Sequence, residues 1–210
     1  MHPIELYTYR TPNGHKASIM LEETGLPYTV HLVDIEAGDQ QRGEFVALNP
    51  NGKIPVIVDP DRGRTVFESG AILFYLAERA GMLQPHGADE HSRTLQWMLF
   101  QAAHVGPMFG QLWHFKVFAG QKLPYAIERY EREAARIAAV LDRELATRPY
   151  LAGARYGIAD IMTWPWIDVL EPKLGVSLAA MPHLKRWLGE IGARPAVQRG
   201  LQVPALAPSH

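Results

Sequence analysis

The chain has 210 residues, 47% of them hydrophobic, with 21 Lys and Arg against 22 Asp and Glu for a net charge of −1. That is ordinary for a globular protein with one large core or two small ones, and it argues against nucleic-acid or membrane-surface binding driven by bulk charge. There is no cysteine, which excludes disulfide staples, a protein thiolate nucleophile and Cys-ligated metals, so any thiol chemistry must use a thiol that a substrate or cofactor brings. With no long apolar run and no basic-then-apolar leader, we expect neither a membrane span nor a signal peptide, and a cytoplasmic protein.

Ile4-Glu-Leu-Tyr-Thr-Tyr9 alternates and runs into Thr-Pro-Asn-Gly14, a strand and then a turn. Helical spacing follows from His15 to Thr24, with Gly25 as its stop, and Tyr28 to Asp34 is a second strand. Strand, helix, strand within about 30 residues is a βαβ unit with a parallel pair. Pro55 to Asp59 and Thr65 to Phe67 form a hairpin around Pro60-Asp-Arg-Gly63, and Ser69 to Gly81 is a closing helix with Ser69 as its cap. The order βαβ then ββα, with a proline entering the first hairpin strand, predicts a thioredoxin-like α/β domain over 1–82.

The stretch Asn49-Pro-Asn-Gly-Lys-Ile-Pro-Val-Ile57, followed by Phe67-Glu-Ser-Gly70, carries the first functional signal. Ile54-Pro55 is a candidate cis bond, which would turn the Ile54 backbone out of the sheet edge. The helix start at Glu68-Ser69 offers free N–H groups and a positive dipole end to a carboxylate. The two together make a site for a short acidic peptide.

Gly81, Pro85 and Gly87 mark a linker, and beyond it no strand is expected. A long apolar-aromatic segment covers 90–119. An amphipathic helix runs from Pro124 to Thr147, with Ile127, Tyr130, Ala134, Ile137, Leu141 and Leu145 on one stripe. Helices over 157–174 and 182–191 complete an all-α domain over 89–203, and the tail 203–210 is expected to be irregular. Pro165, inside the first of these helices, should bend it. The nine histidines show no metal-ligand spacing on a helix, so we expect no metal.

Across essentially its whole length the chain resembles the glutathione transferase family. The resemblance rests on Asn51-Gly-Lys-Ile-Pro-Val56, Phe67-Glu-Ser-Gly-Ala-Ile72 and Tyr150-Leu-Ala-Gly…Ile158-Ala-Asp-Ile161. The last is similar to the family's capping-box motif, with Gly157 where Ser or Thr is usual and Asp160 kept; Gly is an acceptable N-cap. Thr11-Pro-Asn-Gly-His-Lys16, Leu95 to Gln101, Gly106 to Gln111 and Pro124 to Tyr130 resemble the bacterial nu-class subgroup, of the disulfide-bond reductase type and related to a fungal nitrogen regulator of the same fold.

The resemblance implies an enzyme that uses glutathione as its thiol co-substrate to reduce disulfides, and also to reduce peroxides or conjugate electrophiles in detoxification. It implies a glutathione transferase fold, a homodimer, glutathione or glutathione disulfide as ligand, and a small electrophile or disulfide as second substrate. It assigns Thr11 and Asn13 to the sulfur. From the residues alone, Thr-Pro-Asn-Gly reads as a turn with a helix cap; the resemblance also admits Tyr7 or Tyr9, since other classes of the family use a tyrosine hydroxyl from this strand. Lys53 would pair with the glycyl carboxylate, the Ile54 backbone with the cysteinyl unit, Glu68 with the γ-glutamyl ammonium and Ser69 with its α-carboxylate. Gln40, or nearly as well Gln41, would reach the glycyl end. Arg129 would reach a partner subunit's site and favour a second glutathione, although a solvated Arg paired with Glu133 fits the sequence as well. Trp113, His114 and Phe115, with Phe118, would line an electrophile pocket, although aromatics at helical spacing are more often core. The alternative function is a non-catalytic glutathione-binding regulator of the same fold.

Overall fold

The computed structural model describes residues 2–205. The chain folds into two compact units: one holds the residues up to Gln84 together with those from Ala193 onward, and the other is Pro85–Gly192.

The first unit is built on a four-stranded sheet. In chain order it has β1 (Ile4–Thr8), α1 (Pro12–Thr24), β2 (Tyr28–Leu32), a helical turn (Asp39–Gln41), α2 (Gly43–Leu48), β3 (Val56–Asp59), β4 (Arg64–Phe67) and α3 (Ser69–Ala80). Strand order is β2-β1-β3-β4, with β1 parallel to β2 and antiparallel to β3, and β3 antiparallel to β4. This is the expected βαβ-ββα thioredoxin-like arrangement. Pairing places Tyr7 opposite Val56 and Leu6 opposite Ile57, so successive pairs face opposite sides. On one side Tyr7, Val33, Ile54 and Val56 pack with Phe45 and Leu48 of α2. Ile4, Leu6 and Ile57 are buried on the other side, where α1 and α3 pack together.

Several boundaries differ from expectation for local reasons. Helix α1 starts at Pro12, not His15, because Thr11 caps it and Pro12 occupies its first turn with a φ already suited to helix. Helix α2 has six residues, with Phe45 alone buried, too short to show a period. Ser69 is not the cap of α3 but its first residue; the N-cap is Glu68.

The expected helical domain ran to 203, but from Ala193 the chain belongs to the first unit. There α10 (Pro195–Gly200) packs on α1. The packing needs glycine at 200, because a Cβ there would stand 2.7 Å from Ile19 Cα. Ser18 Oγ donates to the Gly200 carbonyl at 2.7 Å, and Arg194 and Arg199 pair with Glu23 and Glu22. Beyond it, 203–205 form no helix or strand and Val203-Pro204 is cis; the rest of the expected irregular tail lies outside the described residues.

The second unit is helical. Residues 87–118 form one run, α4 (Gly87–Phe100) and α5 (Gly106–Trp113) separated and followed by wider π turns at Gln101–Val105 and His114–Phe118. Pro107 has no N–H and its ring needs room beside the preceding turn, which accounts for the first widening. Then come α6 (Pro124–Leu145), α7 (Ile158–Asp168), α8 (Leu170–Leu174) and α9 (Pro182–Gly192). Ala134, Ile137, Leu141 and Leu145 of α6 are buried as the stripe requires, while Ile127 and Tyr130 are half-buried. No helix among the described residues is long and apolar enough to cross a membrane.

Asp160 on α7 is the polar centre of this unit. It is fully buried and accepts from Leu151 N at 3.0 Å, Gly157 N at 3.1 Å and Trp187 Nε1 at 2.8 Å. This is half of a capping box: Asp160 satisfies the Gly157 N–H, and glycine has no side chain to reciprocate.

Candidate active site

The site is built where the ends of β1 and β3 meet the starts of α1 and α3. Thr11 is the N-cap of α1, and its Oγ1 accepts from Gly14 N at 3.1 Å. The capping role is therefore real, but it uses only the acceptor side of the hydroxyl, and the O–H is left to donate. Asn13 follows within the first turn, where the leading N–H groups have no intrahelical partner. Gly14 lets α1 start so close to β1, since a Cβ there would lie 2.2 Å from the Tyr9 carbonyl oxygen. One residue on, burial and then Arg10 push the His15 imidazole down to about 4. The positive potential at this helix start therefore comes from the backbone and not from that ring.

Ile54-Pro55 is cis, and the β1–β3 ladder begins at Val56, leaving Ile54 outside it. The loop before it is organised by Asn49, a residue the sequence reading did not single out. Asn49 is 2% exposed; its Nδ2 donates to the Lys53 carbonyl at 2.6 Å, its Oδ1 accepts from Asn51 N at 2.9 Å, and its own carbonyl accepts from Gly52 N. The backbone that carries Lys53 and Ile54 is thus hung on one amide. We expect Asn49→Ala to cost on the order of 2 kcal/mol in stability and to weaken ligand binding at the loop it organises, checked by urea denaturation and ligand titration. Binding unchanged beside that loss of stability would remove Asn49 from the site.

Glu68 holds a left-handed φ of 67°, rare for a residue with a Cβ. Such backbone costs on the order of 1–3 kcal/mol and persists where surrounding structure enforces it, often at functional sites. Here it turns the chain from β4 into α3 and presents Ser69 in the first helical turn. Ser69 Oγ accepts from Lys16 Nζ at 3.3 Å. Lys16 on α1 is 2% exposed, and it too was passed over in the sequence.

Asn13, Asn49, Lys53, Ile54, Pro55, Glu68 and Ser69 line one cavity of about 80 Å³. Five of the residues expected to hold a peptide ligand are brought together there. Thr11 caps the helix that carries Asn13, without itself lining the cavity. Gln40 and Gln41 lie in the helical turn behind Gly52, with the Gln40 carbonyl and the Gln41 amide 3.2 Å from where a Gly52 Cβ would stand. Gln40 Nε2 donates to the Ile35 carbonyl, and its buried Oε1 has no protein partner.

The tyrosines are placed differently. Tyr7 stacks on His31 with ring centroids 4.5 Å apart and tilts against Phe45, so it packs under α2. The Tyr9 phenol is held above its usual range by lost solvation and then by the carboxylates of Asp34 and Glu36, which makes it a weaker proton donor.

The remaining residues belong to the second unit. Arg129 lines a cavity of about 380 Å³ with Met108, Tyr130, Arg132, Glu133 and Arg136. Its expected partner Glu133 is held instead by Arg136, at 2.8 and 2.7 Å. Trp113 meets Trp166 edge-on and stacks on Phe118, while Phe115 stacks on Tyr130. Trp113 and Phe115 thus take part in helix packing, and His114 is exposed. No cluster of three metal-ligating side chains occurs among the described residues.

Residues 2–78 match the glutathione S-transferase N-terminal domain and residues 104–195 its C-terminal domain. The chain belongs to the glutathione S-transferase family. Within it, the chain is 45% identical over 203 residues to the disulfide-bond oxidoreductase YfcG of Escherichia coli, covering 94% of each chain. A glutathione transferase from Burkholderia graminis, solved with two glutathione molecules per subunit, superposes with a TM-score of 0.92 at 45% identity, covering 98% of this chain and 90% of that one. One from Pseudomonas putida, solved with one glutathione disulfide per subunit, superposes at 0.91 and 42% identity, covering 96% and 92%.

Proposed function

We propose that this transferase uses the thiolate of glutathione to reduce disulfides, with peroxides and carbon electrophiles as further substrates of the same nucleophile. The observation that carries it is the meeting of Asn13, Lys53, Ile54, Glu68 and Ser69 around one cavity. Each has the chemistry of one part of the tripeptide. Lys53 takes the glycyl carboxylate with Gln40 nearby, the Ile54 backbone the cysteinyl unit, Glu68 the γ-glutamyl ammonium, and Ser69 at the N-terminus of α3 the α-carboxylate. The cysteinyl sulfur then falls to the start of α1, where Thr11 and Asn13 donate to it.

A free thiol with a pKa near about 8.5 is mostly protonated at neutral pH. Donors and a helix N-terminus at the sulfur favour the anion. The thiolate attacks one sulfur of the substrate disulfide, forming a mixed disulfide and expelling the other sulfur as thiolate. A second glutathione thiolate attacks the glutathione sulfur of that mixed disulfide, releasing glutathione disulfide and the second substrate thiol. The two protons lost by the glutathiones end on the two product thiols. No protein sulfur takes part, consistent with a cysteine-free chain. The two glutathiones bound per subunit in the Burkholderia relative support room for both. The working unit is a cytoplasmic homodimer, in which Arg129 serves the partner's site.

Turnover of 2-hydroxyethyl disulfide with glutathione tests this: steady glutathione disulfide production is expected. Glutathione binding without turnover of any disulfide or peroxide would favour the non-catalytic regulator. Gel filtration at micromolar concentration is expected to give a dimer, and a monomer would remove Arg129 from the site.

A further inference from the structure

Lys16 has no part in the mechanism above, yet it is the one lysine buried among the described residues. A buried amine is costly unless something nearby offsets the charge, and its Nζ meets Ser69 Oγ at 3.3 Å. It comes from α1, one turn after Asn13, and reaches Ser69 in the first turn of α3. Whenever Lys16 is protonated its ammonium can only donate, so Ser69 then accepts and directs its own O–H elsewhere. Ser69 lines the cavity. A donor hydroxyl backed by an ammonium and set at a helix N-terminus suits an anion.

We propose that Lys16 is a positioning residue of the ligand site: its ammonium orients Ser69 to donate to the α-carboxylate of the γ-glutamyl group and supplies that carboxylate's counter-charge from within the protein. This rests on the reading of the cavity as a glutathione site.

The surroundings of Lys16 fit such a role. Burial pushes it down to about 7, and Glu68 is the one charge that pulls it back up. Of the other charged groups on the elements packed against α1, Glu5 of β1 is bonded to His31, Arg79 of α3 to Asp59 and Asp61, and Arg194 and Arg199 flanking and within α10 to Glu23 and Glu22; Glu78 of α3 lies at the other end of that helix. Near pH 7.5 the free protein therefore holds Lys16 partly neutral. A carboxylate arriving at Ser69 restores the proton, so binding is coupled to proton uptake.

The test compares S-methylglutathione, whose sulfur cannot ionise, with its analogue in which 4-aminobutanoyl replaces the γ-glutamyl group and the α-carboxylate alone is missing. Calorimetry of the wild-type protein at pH 7.5, in buffers of different ionisation enthalpy, is expected to show proton uptake with the first ligand and none with the second. Lys16→Met should weaken S-methylglutathione about 10- to 100-fold, the range for a hydrogen bond to a charged group. It should change the analogue by less than about threefold, because the lost interaction needs the carboxylate. It should also abolish the uptake. Equal losses for both ligands, or wild-type binding without uptake, would reduce Lys16 to a structural residue while leaving the glutathione site intact. Wild-type protein that binds neither ligand would overturn both readings. The wild-type measurement decides the matter even if Lys16→Met does not fold.

Discussion

Thr11→Ala is expected to lower glutathione-dependent disulfide reduction about 10- to 100-fold at neutral pH, the loss of one hydrogen bond to an anion. The proposed donation to the sulfur must be separated from the capping role of this side chain. Its oxygen caps α1 through Gly14 N, and losing a Thr cap alone costs about 1 kcal/mol of stability. Its O–H is the donor assigned to the sulfur. Thr11→Ser keeps both, so its rate should stay close to that of the wild type. Thr11→Gly restores part of the cap, since Gly is only slightly worse than Thr there, but cannot donate. A slow Gly variant with near-normal stability would locate the loss at the sulfur. A Gly variant as fast as wild type would leave Thr11 a cap and nothing more.

Asp160→Ala is expected to have the largest effect on folding, on the order of 3–5 kcal/mol, because three N–H donors lose one shared acceptor at a fully buried place. It should appear as a lower urea midpoint with little change in glutathione affinity, since Asp160 lies in the second unit. The pH dependence has an unusual sign. Burial pushes the Asp160 carboxyl from 3.8 up to about 6, with the three N–H groups pulling the other way. The folded state therefore holds this proton more tightly than the unfolded chain. The stabilisation linked to the proton is full below about pH 4 and is lost as pH rises through about 6. Asp59 and Asp61, held below the usual carboxylate range, contribute in the opposite direction. The difference between wild type and Asp160→Asn isolates the Asp160 part: the wild type should lose stability relative to the variant between about pH 4 and 6. A flat difference would show that the three donors cancel burial, and one of opposite sign that they outweigh it.

Much of this architecture was legible in the sequence because it is periodic or punctuated. Alternation at Ile4 to Thr8 and the Gly-containing turn at 60–63 marked strands, and the stripe from Ala134 to Leu145 marked α6. What escaped was either too short or too distant. Helix α2 buries only Phe45. The start of α1 was hidden because Thr-Pro-Asn-Gly reads as a turn, although Pro12 in the first turn was the available signal. The return of α10 to α1 depends on Gly200 meeting Ile19, two residues far apart in the chain. In the site, Lys53, Ile54, Glu68, Ser69 and Asn13 stood out because a motif carried them. Lys16 and Asn49 sat in the same motifs without a role of their own. A lysine in a helix reads as solvent-facing, and an asparagine before Pro50 reads as a turn; only three dimensions show both of them buried. The aromatic segment around Trp113 gave no way to tell a pocket from a core, because that depends on what α6 and α7 place against it.

On the proposed mechanism this protein makes a nucleophile of a thiol it does not own. The decisive measurement is a titration of the ultraviolet thiolate absorbance of glutathione bound to the wild-type enzyme. The sulfur is expected to ionise at least about one pH unit below the free thiol's value near 8.5, and to move back toward it in Thr11→Ala and in Asn13→Ala. A bound thiol that titrates like free glutathione would overturn thiolate activation by Thr11 and Asn13, whatever disulfide turnover is observed.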